Sequence, residues 1–378
     1  MLYFNNLNGR IGTYIDEYND QNNEDLDQLR QEDIKRYNDL IANFIKKSSN
    51  DGQKSYIATR DDIKEKGQQV PGVVLSDGRI IDGNRRFTAI RELYEKTGDP
   101  RFAYFEAAVL PCPEKTDLEG WKEIRRKELW LQYNVNEKKE YNLIPFYRSI
   151  YKDTMETTKG FDKEQYLYAS GMTESKYKNC VEVIHTMLDY LEWRGKPKAF
   201  YILENERLDG PLEEVAKTRK KMSEEEWNLK KDLIYYHITF VDSGDKVRDI
   251  RPLLKSLKDD GLLFNNYNQA VDSPQLKLKL IKALSAKDKE KKTSEETQEI
   301  KELSNKLQKA FKDAKYEEDK DSIIKEPVEL CDAVIEQMNK FDKPLIKQMS
   351  PEQKQLVSSK LSEIEKLSSE IRKEIQSE

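Results

Sequence analysis

Two kinds of apolar pattern divide the chain. Between residues 70 and 110 the hydrophobic positions fall in short runs at 70–75, 79–82 and 105–110, each bounded by turn residues, which predicts strands. Elsewhere they recur at spacings of three and four, the period of a helix with one buried face. Ile34, Tyr37, Leu40, Ile41, Phe44 and Ile45 predict such a helix over 31–47, closed by the loop Ser48-Ser49-Asn50-Asp51-Gly52. Residues 1–30 are polar, rich in Asn and Asp, and show little periodicity before Leu26. Residues 55–60 read as extended or irregular, and a short polar helix around 61–66 ends at Gly67. Between the second and third strands, residues 86–96 predict a helix stopped by Thr97-Gly98 with Pro100 beyond. This first block is α+β.

After Pro111-Cys112-Pro113 the strand-like runs disappear, and from about 117 onward almost every segment reads as helix. Trp121, Ile124, Leu129, Trp130 and Leu131 mark one. Tyr141, Ile144, Tyr147, Ile150 and Tyr151 mark another, with Pro145 at its start or at a kink. Residues 161–188 form a bounded pair. Asp162 caps a helix over 163–170, Gly171 breaks it, and Thr173 caps a second helix that turns Tyr177, Cys180, Val181, Ile184 and Met187 inward. Helix, glycine turn and capped helix at this spacing is a helix-turn-helix pattern. Residues 190–270 continue as charge-rich helices, and His237, inside the apolar run 233–240, reads as core. The run 286–299 is a solvated charge stretch, a linker or an exposed helix. Ile300, Leu303, Leu307 and Phe311 make one further amphipathic helix. The last helix carries Val357, Leu361, Ile364, Ile371 and Ile375, under three heptads, which reads as a helical hairpin or dimerisation tail. Four segments are expected: 1–115, 116–195, 196–285 and 286–378.

Composition narrows the classes. Charged residues make up 36% of the 378 and hydrophobic ones 37%, enough for a core beneath a very polar surface. The net charge of −5 argues against attraction of the whole molecule to nucleic acid, so DNA binding would need a local basic face. No apolar run approaches the roughly 18–20 residues of a membrane span and no signal-peptide pattern opens the chain, so a cytoplasmic protein without membrane attachment is expected. Cys112, Cys180 and Cys331 are odd in number and far apart, forming neither a disulfide framework nor a zinc pattern. Cys180 reads as a packed thiol. With only His185 and His237 available, neither a His-based metal site nor a Ser-His-Asp triad is expected.

One stretch carries specific chemistry: Val74-Leu75-Ser76-Asp77-Gly78-Arg79-Ile80-Ile81-Asp82-Gly83-Asn84-Arg85-Arg86-Phe87. Asp77-Gly78 between apolar runs is a hairpin signal. The second strand then runs into a glycine and two arginines that open a helix. A helix start offers unpaired N–H groups and the positive end of the macrodipole. Glycine admits close approach there, and arginine forks match phosphate oxygens. Asp82 is the candidate catalytic base or metal ligand, its alternative being a carboxylate that stabilises the helix dipole. For Arg85 and Arg86 the alternative is structural ion pairing with the acid-rich helices.

At Asp82-Gly83-Asn84-Arg85-Arg86-Phe87-Thr88-Ala89 the sequence resembles the ParB/sulfiredoxin-like superfamily, whose signature is a G-E-R-R-x-x-A box after a strand. Gly67-Gln68-Gln69-Val70-Pro71 resembles the G-x-x-Q-P segment before that box, with Val70 inserted. Ser170-Gly171-Met172-Thr173-Glu174-Ser175-Lys176-Tyr177-Lys178-Asn179 is similar to the turn and recognition helix of the partition-protein branch. The resemblance covers about residues 30–190. It implies a small mixed-sheet N-terminal domain followed by all-helical domains, a nucleoside triphosphate, CTP first, bound at Gln69, Gly83, Asn84, Arg85 and Arg86, and DNA facing Thr173, Ser175, Lys176, Lys178 and Asn179. It also implies a homodimer. Asn84 stands where the family has Glu. The E-N-x-Q-R segment that helps place Mg2+ has its nearest match at Glu128-Leu129-Trp130-Leu131-Gln132, with an apolar residue at the metal-binding Asn. Binding is therefore expected ahead of hydrolysis, a weak CTPase activity at most, and no metal ligands are assigned.

Two other readings come from different classes. Asn84 in place of the sulfiredoxin Cys excludes sulfinic-acid reduction. A phosphotransferase or nuclease using Asp82 in the same pocket would need only positioning and charge stabilisation. A non-catalytic adaptor of a mobile-element or phage-related system would use the C-terminal helices to bind a protein partner.

Overall fold

The computed structural model describes residues 1–22, 24–48, 53–113, 118–131, 143–156, 160–241, 244–257, 261–289, 292–340 and 343–376. The described chain is mostly helical and carries one four-stranded mixed sheet, so the α+β class holds. The expected loop at 49–52, Gln132 and Tyr141 lie outside the described residues.

The chain opens with strand β1 (Tyr3–Phe4) and a 3-10 turn, then α1 (Gly12–Asn22), α2 (Leu26–Glu32), α3 (Ile34–Lys47) and α4 (Lys54–Lys66). β2 (Gly72–Leu75), β3 (Arg79–Asp82), α5 (Asn84–Thr97) and β4 (Ala107–Leu110) follow. The sheet order is β1-β3-β2-β4, with β3 antiparallel to β2 and the two outer pairings parallel. Both faces of the sheet are covered. Val74 and Ile80 face one way, into a core with Phe4, Tyr37, Ile41 and Phe87. Leu75 and Ile81 face the other, against Ile124 of α6 (Leu118–Trp130). Covering on both sides explains why β2 and β3 read as unbroken apolar runs instead of alternating ones.

Two expectations are corrected by the structure. Residues 1–30 hold a strand and two helices; β1 is only two residues long, and α1 buries only Gly12, Thr13 and Ile15, too narrow a stripe to stand out. Residues 55–60 belong to α4, which buries only Tyr56 and Ile63, so tertiary packing and not periodicity makes this helix. The hairpin turn falls where expected, at Ser76-Asp77-Gly78: Gly78 N–H donates to Leu75 carbonyl at 2.9 Å, and Gly78, at φ 93°, ends the loop. In α3, Leu40 and Ile34 are half-buried, while Tyr37, Ile41, Phe44 and Ile45 form the buried stripe.

The helical part continues with α7 (Leu143–Thr154), α8 (Lys163–Ser170), α9 (Glu174–Trp193), α10 (Phe200–Asn205) and α11 (Asp209–Arg219). Pro145 lies in the first turn of α7, where its missing N–H costs nothing. Next are α12 (Glu224–Phe240), α13 (Lys246–Ser256), α14 (Leu262–Val271), α15 (Pro274–Lys287) and α16 (Ser294–Asn339). His237 and Cys180 are buried as expected. The chain divides into two compact units, Met1–Phe311 and Lys312–Glu378, so the expected boundaries at 115, 195 and 285 fall inside the first. The second unit contains the rest of α16, α17 (Lys343–Ile346) and α18 (Pro351–Gln376). On α18, Val357 and Leu361 are half-buried, and Ile364, Ile371 and Ile375 are exposed.

Candidate functional site

Gly83 closes β3 and caps α5 with φ 91°, a conformation open to glycine at little cost. A Cβ there would stand 2.9 Å from the Phe105 ring and 3.2 Å from the Gly72 Cα, so two glycines and an aromatic ring pack in one tight corner. The helix begins at Asn84, two residues before the predicted start, because Gly83 carbonyl already accepts from Phe87 N–H at 2.8 Å. Asn84, Arg85 and Arg86 thus form the first turn, where the macrodipole favours an anion.

The side chains of this turn are only partly committed to the fold. Arg86 Nη2 donates to Asp82 at 3.0 Å and to the Pro71 carbonyl at 3.2 Å, and about a quarter of each partner in the ion pair is exposed. Arg86 Nε and Asn84 Oδ1 are buried and have no hydrogen-bond partner. A buried donor left unmade costs about 1–3 kcal/mol. Arg85 is half-buried on the same turn. Gln69 stays outside this corner: it is exposed and its side chain donates to the Lys66 carbonyl at 2.6 Å. Its neighbour Gln68 instead donates to the Glu106 carbonyl and accepts from Glu106 N–H, pinning the approach to β4.

The helical hairpin has the capping that the sequence predicts. Asp162 accepts from Gln165 N–H at 2.8 Å, Gly171 takes φ 64° and donates to Leu167 carbonyl, and Thr173 accepts from Lys176 N–H. Tyr166 and Tyr177 pack ring against ring at 5.9 Å, and Cys180, Ile184 and Met187 continue inward, while Val181 is half-buried and Val183 takes a buried place. Burial pushes the Cys180 thiol up to about 11, as for an inert packed cysteine. Thr173, Ser175, Lys176, Lys178 and Asn179 are all exposed on the first turns of α9. Glu174 lies among them. Hydrogen bonds from Lys163 and Lys178, at 2.6 and 3.0 Å, hold its carboxyl down at about 2. Part of the positive charge of this face is therefore matched internally.

Glu128 is not placed for magnesium. It is fully buried and accepts from Arg125 Nη1 at 2.7 Å, and Leu129 beside it is core. Arg125 also forks onto Asp153 at 2.8 and 2.9 Å and reaches Ser149 and the Leu7 carbonyl. Burial works against its charge, but Asp153 and Glu128 hold the guanidinium proton more firmly than usual. This cluster ties the N-terminal segment to α6 and α7. Sequence reading missed it, although Arg125 and Glu128 sit at one and four positions after Ile124 on the apolar face of α6, where charged residues are a signal. Among the described residues no three His, Cys, Asp or Glu side chains come together in a way that could hold a metal ion. Among them, too, no helix is long and apolar enough to cross a membrane.

Comparison with protein-family models, with curated proteins and with solved structures returns no match. The functional reading therefore rests on the geometry of the turn and the hairpin.

Proposed function

We propose that this chain is a ParB-like DNA-binding protein in which a nucleoside triphosphate, CTP first, is held at the Gly83–Arg86 turn and changes association with DNA. The observation that carries the reading is the unpaired Arg86 Nε at the start of α5, beside a glycine corner. A phosphate oxygen would satisfy that donor once the Asp82–Arg86 pair opens, and the helix N-terminus adds its own favourable field. Gly83, Arg85 and Arg86 would hold phosphate oxygens, and Asn84 would orient the group through its side-chain amide. Arg86 would exchange Asp82 for phosphate, which couples binding to release of that carboxylate. No step is assigned to Mg2+, because Glu128 is consumed by Arg125.

The Asp82 carboxylate pairs with the Arg86 guanidinium, so it could act as the base of a phosphotransferase or nuclease only after that pair opens. The exposed, capped start of α9 supports the DNA half of the reading, with Ser175, Lys176, Lys178 and Asn179 toward the duplex. Fluorescence anisotropy of labelled duplex DNA, titrated with protein alone and with CTP, ATP, GTP or UTP in turn, tests it. A nucleotide-dependent change in affinity, lost in a Lys176→Ala/Lys178→Ala variant, is expected. DNA affinity that ignores every nucleoside triphosphate, or survives that double substitution, refutes it.

A further inference from the structure

An open-sided groove of about 610 Å³ lies where β2, β4, α6 and α8 meet. It opens on the Leu75 and Ile81 side of the sheet, the face away from Phe87 of α5. Val73, Ala108 and Leu110 form its floor. Two aromatic rings flank it, Trp130 at the end of α6 and Tyr168 on α8, 53% and 86% exposed. Large rings left this far in water beside an apolar floor are unusual for a surface that binds nothing. The volume is that of a small-molecule site, which combines an apolar lining with a few polar groups that fix orientation.

The polar groups here are cations. Lys127 lines the groove but is matched by Glu123 at 2.8 Å. Arg126 is different. Its guanidinium lies 6.0 Å from the Phe161 ring and, among the described residues, forms no ion pair. A half-buried arginine held against a ring, next to two exposed aromatic side chains, is complementary to a flat apolar body that carries one negative charge.

We propose that this groove is a binding site for an aromatic anion, its ring system lying between Trp130 and Tyr168 and its carboxylate, sulfonate or phosphate on Arg126. Such a ligand would bridge the sheet, α6 and the first helix of the hairpin. The site is separate from the turn at Gly83.

The test uses two probes with similar ring systems, anionic 8-anilinonaphthalene-1-sulfonate and neutral N-phenyl-1-naphthylamine, titrated by fluorescence into the folded full chain. The anionic probe is expected to saturate at one site. Trp130→Ala and Tyr168→Ala, both at exposed positions that leave folding intact, should each weaken it at least fivefold. Arg126→Gln should weaken the anionic probe at least tenfold and the neutral one less than twofold. Arg85→Ala should change neither, which keeps this result separate from the fate of the nucleotide reading. Absence of a saturable site, indifference to Trp130→Ala, or an equal response of both probes to Arg126→Gln overturns the proposal.

Discussion

His237 sets a pH dependence that can be worked out from its surroundings. Its ring is buried on α12 against Tyr267 and Phe311, with centroids 5.7 and 4.6 Å away. Nδ1 lies 3.3 Å from the Tyr267 hydroxyl and Nε2 has no partner. Burial alone draws the imidazole down from 6.5 to about 3. The unfolded chain therefore takes up a proton below pH 6.5 that the folded chain refuses until about pH 3. Stability from this group is fully present above 6.5 and is lost as pH falls through the interval between the two values. At pH 5 the unfolded histidine is 1.5 units below its midpoint, which at about 1.4 kcal/mol per unit is a loss of about 2 kcal/mol relative to pH 8. The perturbation is His237→Phe, which fills the same cage without titrating. Urea unfolding followed by tryptophan fluorescence at pH 8 and pH 5 gives the two stabilities for each protein. The substitution lowers stability at pH 8, because it leaves the Tyr267 hydroxyl unpaired. It should also make the drop from pH 8 to pH 5 smaller than in the parent by about 2 kcal/mol. Equal drops in the two proteins would refute the assignment of a neutral buried imidazole.

Three further substitutions separate packing from charge. Arg125→Leu leaves Asp153 and Glu128 buried without their partner and should cost about 3–5 kcal/mol by chemical denaturation, and a loss under 1 kcal/mol would contradict the cluster. Gly83→Ala meets both a left-handed φ of 91° and the Phe105 ring at 2.9 Å, and should cost about 2–3 kcal/mol; Gly98→Ala, at φ 64° with nothing within 4 Å, should cost about 1 kcal/mol, so equal losses would show that the corner is not tight.

What the sequence revealed followed from how local each cause was. The strand, glycine and helix around 79–98 were legible because Gly83 and Gly98 each answer a local backbone demand, as did Asp162, Gly171 and Thr173 in the hairpin. Ion pairing was foreseen for Arg86 as an alternative to anion binding, but not its partner Asp82 four residues before it. The first half of the helix over 54–66 was not legible, because two buried positions in thirteen leave no stripe. Nor was the Arg125 cluster, whose partner Asp153 is 28 residues away and brought close only by the packing of α6 and α7. The groove under Trp130 and Tyr168 is assembled from four elements, and no single stretch encodes it.

The central claim is that the turn at Gly83 holds a nucleoside triphosphate. Isothermal titration of the full chain with CTP, and then with ATP, GTP and UTP, tests it most directly when repeated on Arg85→Ala. Saturable binding of CTP is expected, weakened at least tenfold, or about 1.4 kcal/mol, by the substitution. No binding of any of the four at millimolar concentration, or the same affinity in Arg85→Ala, would contradict it.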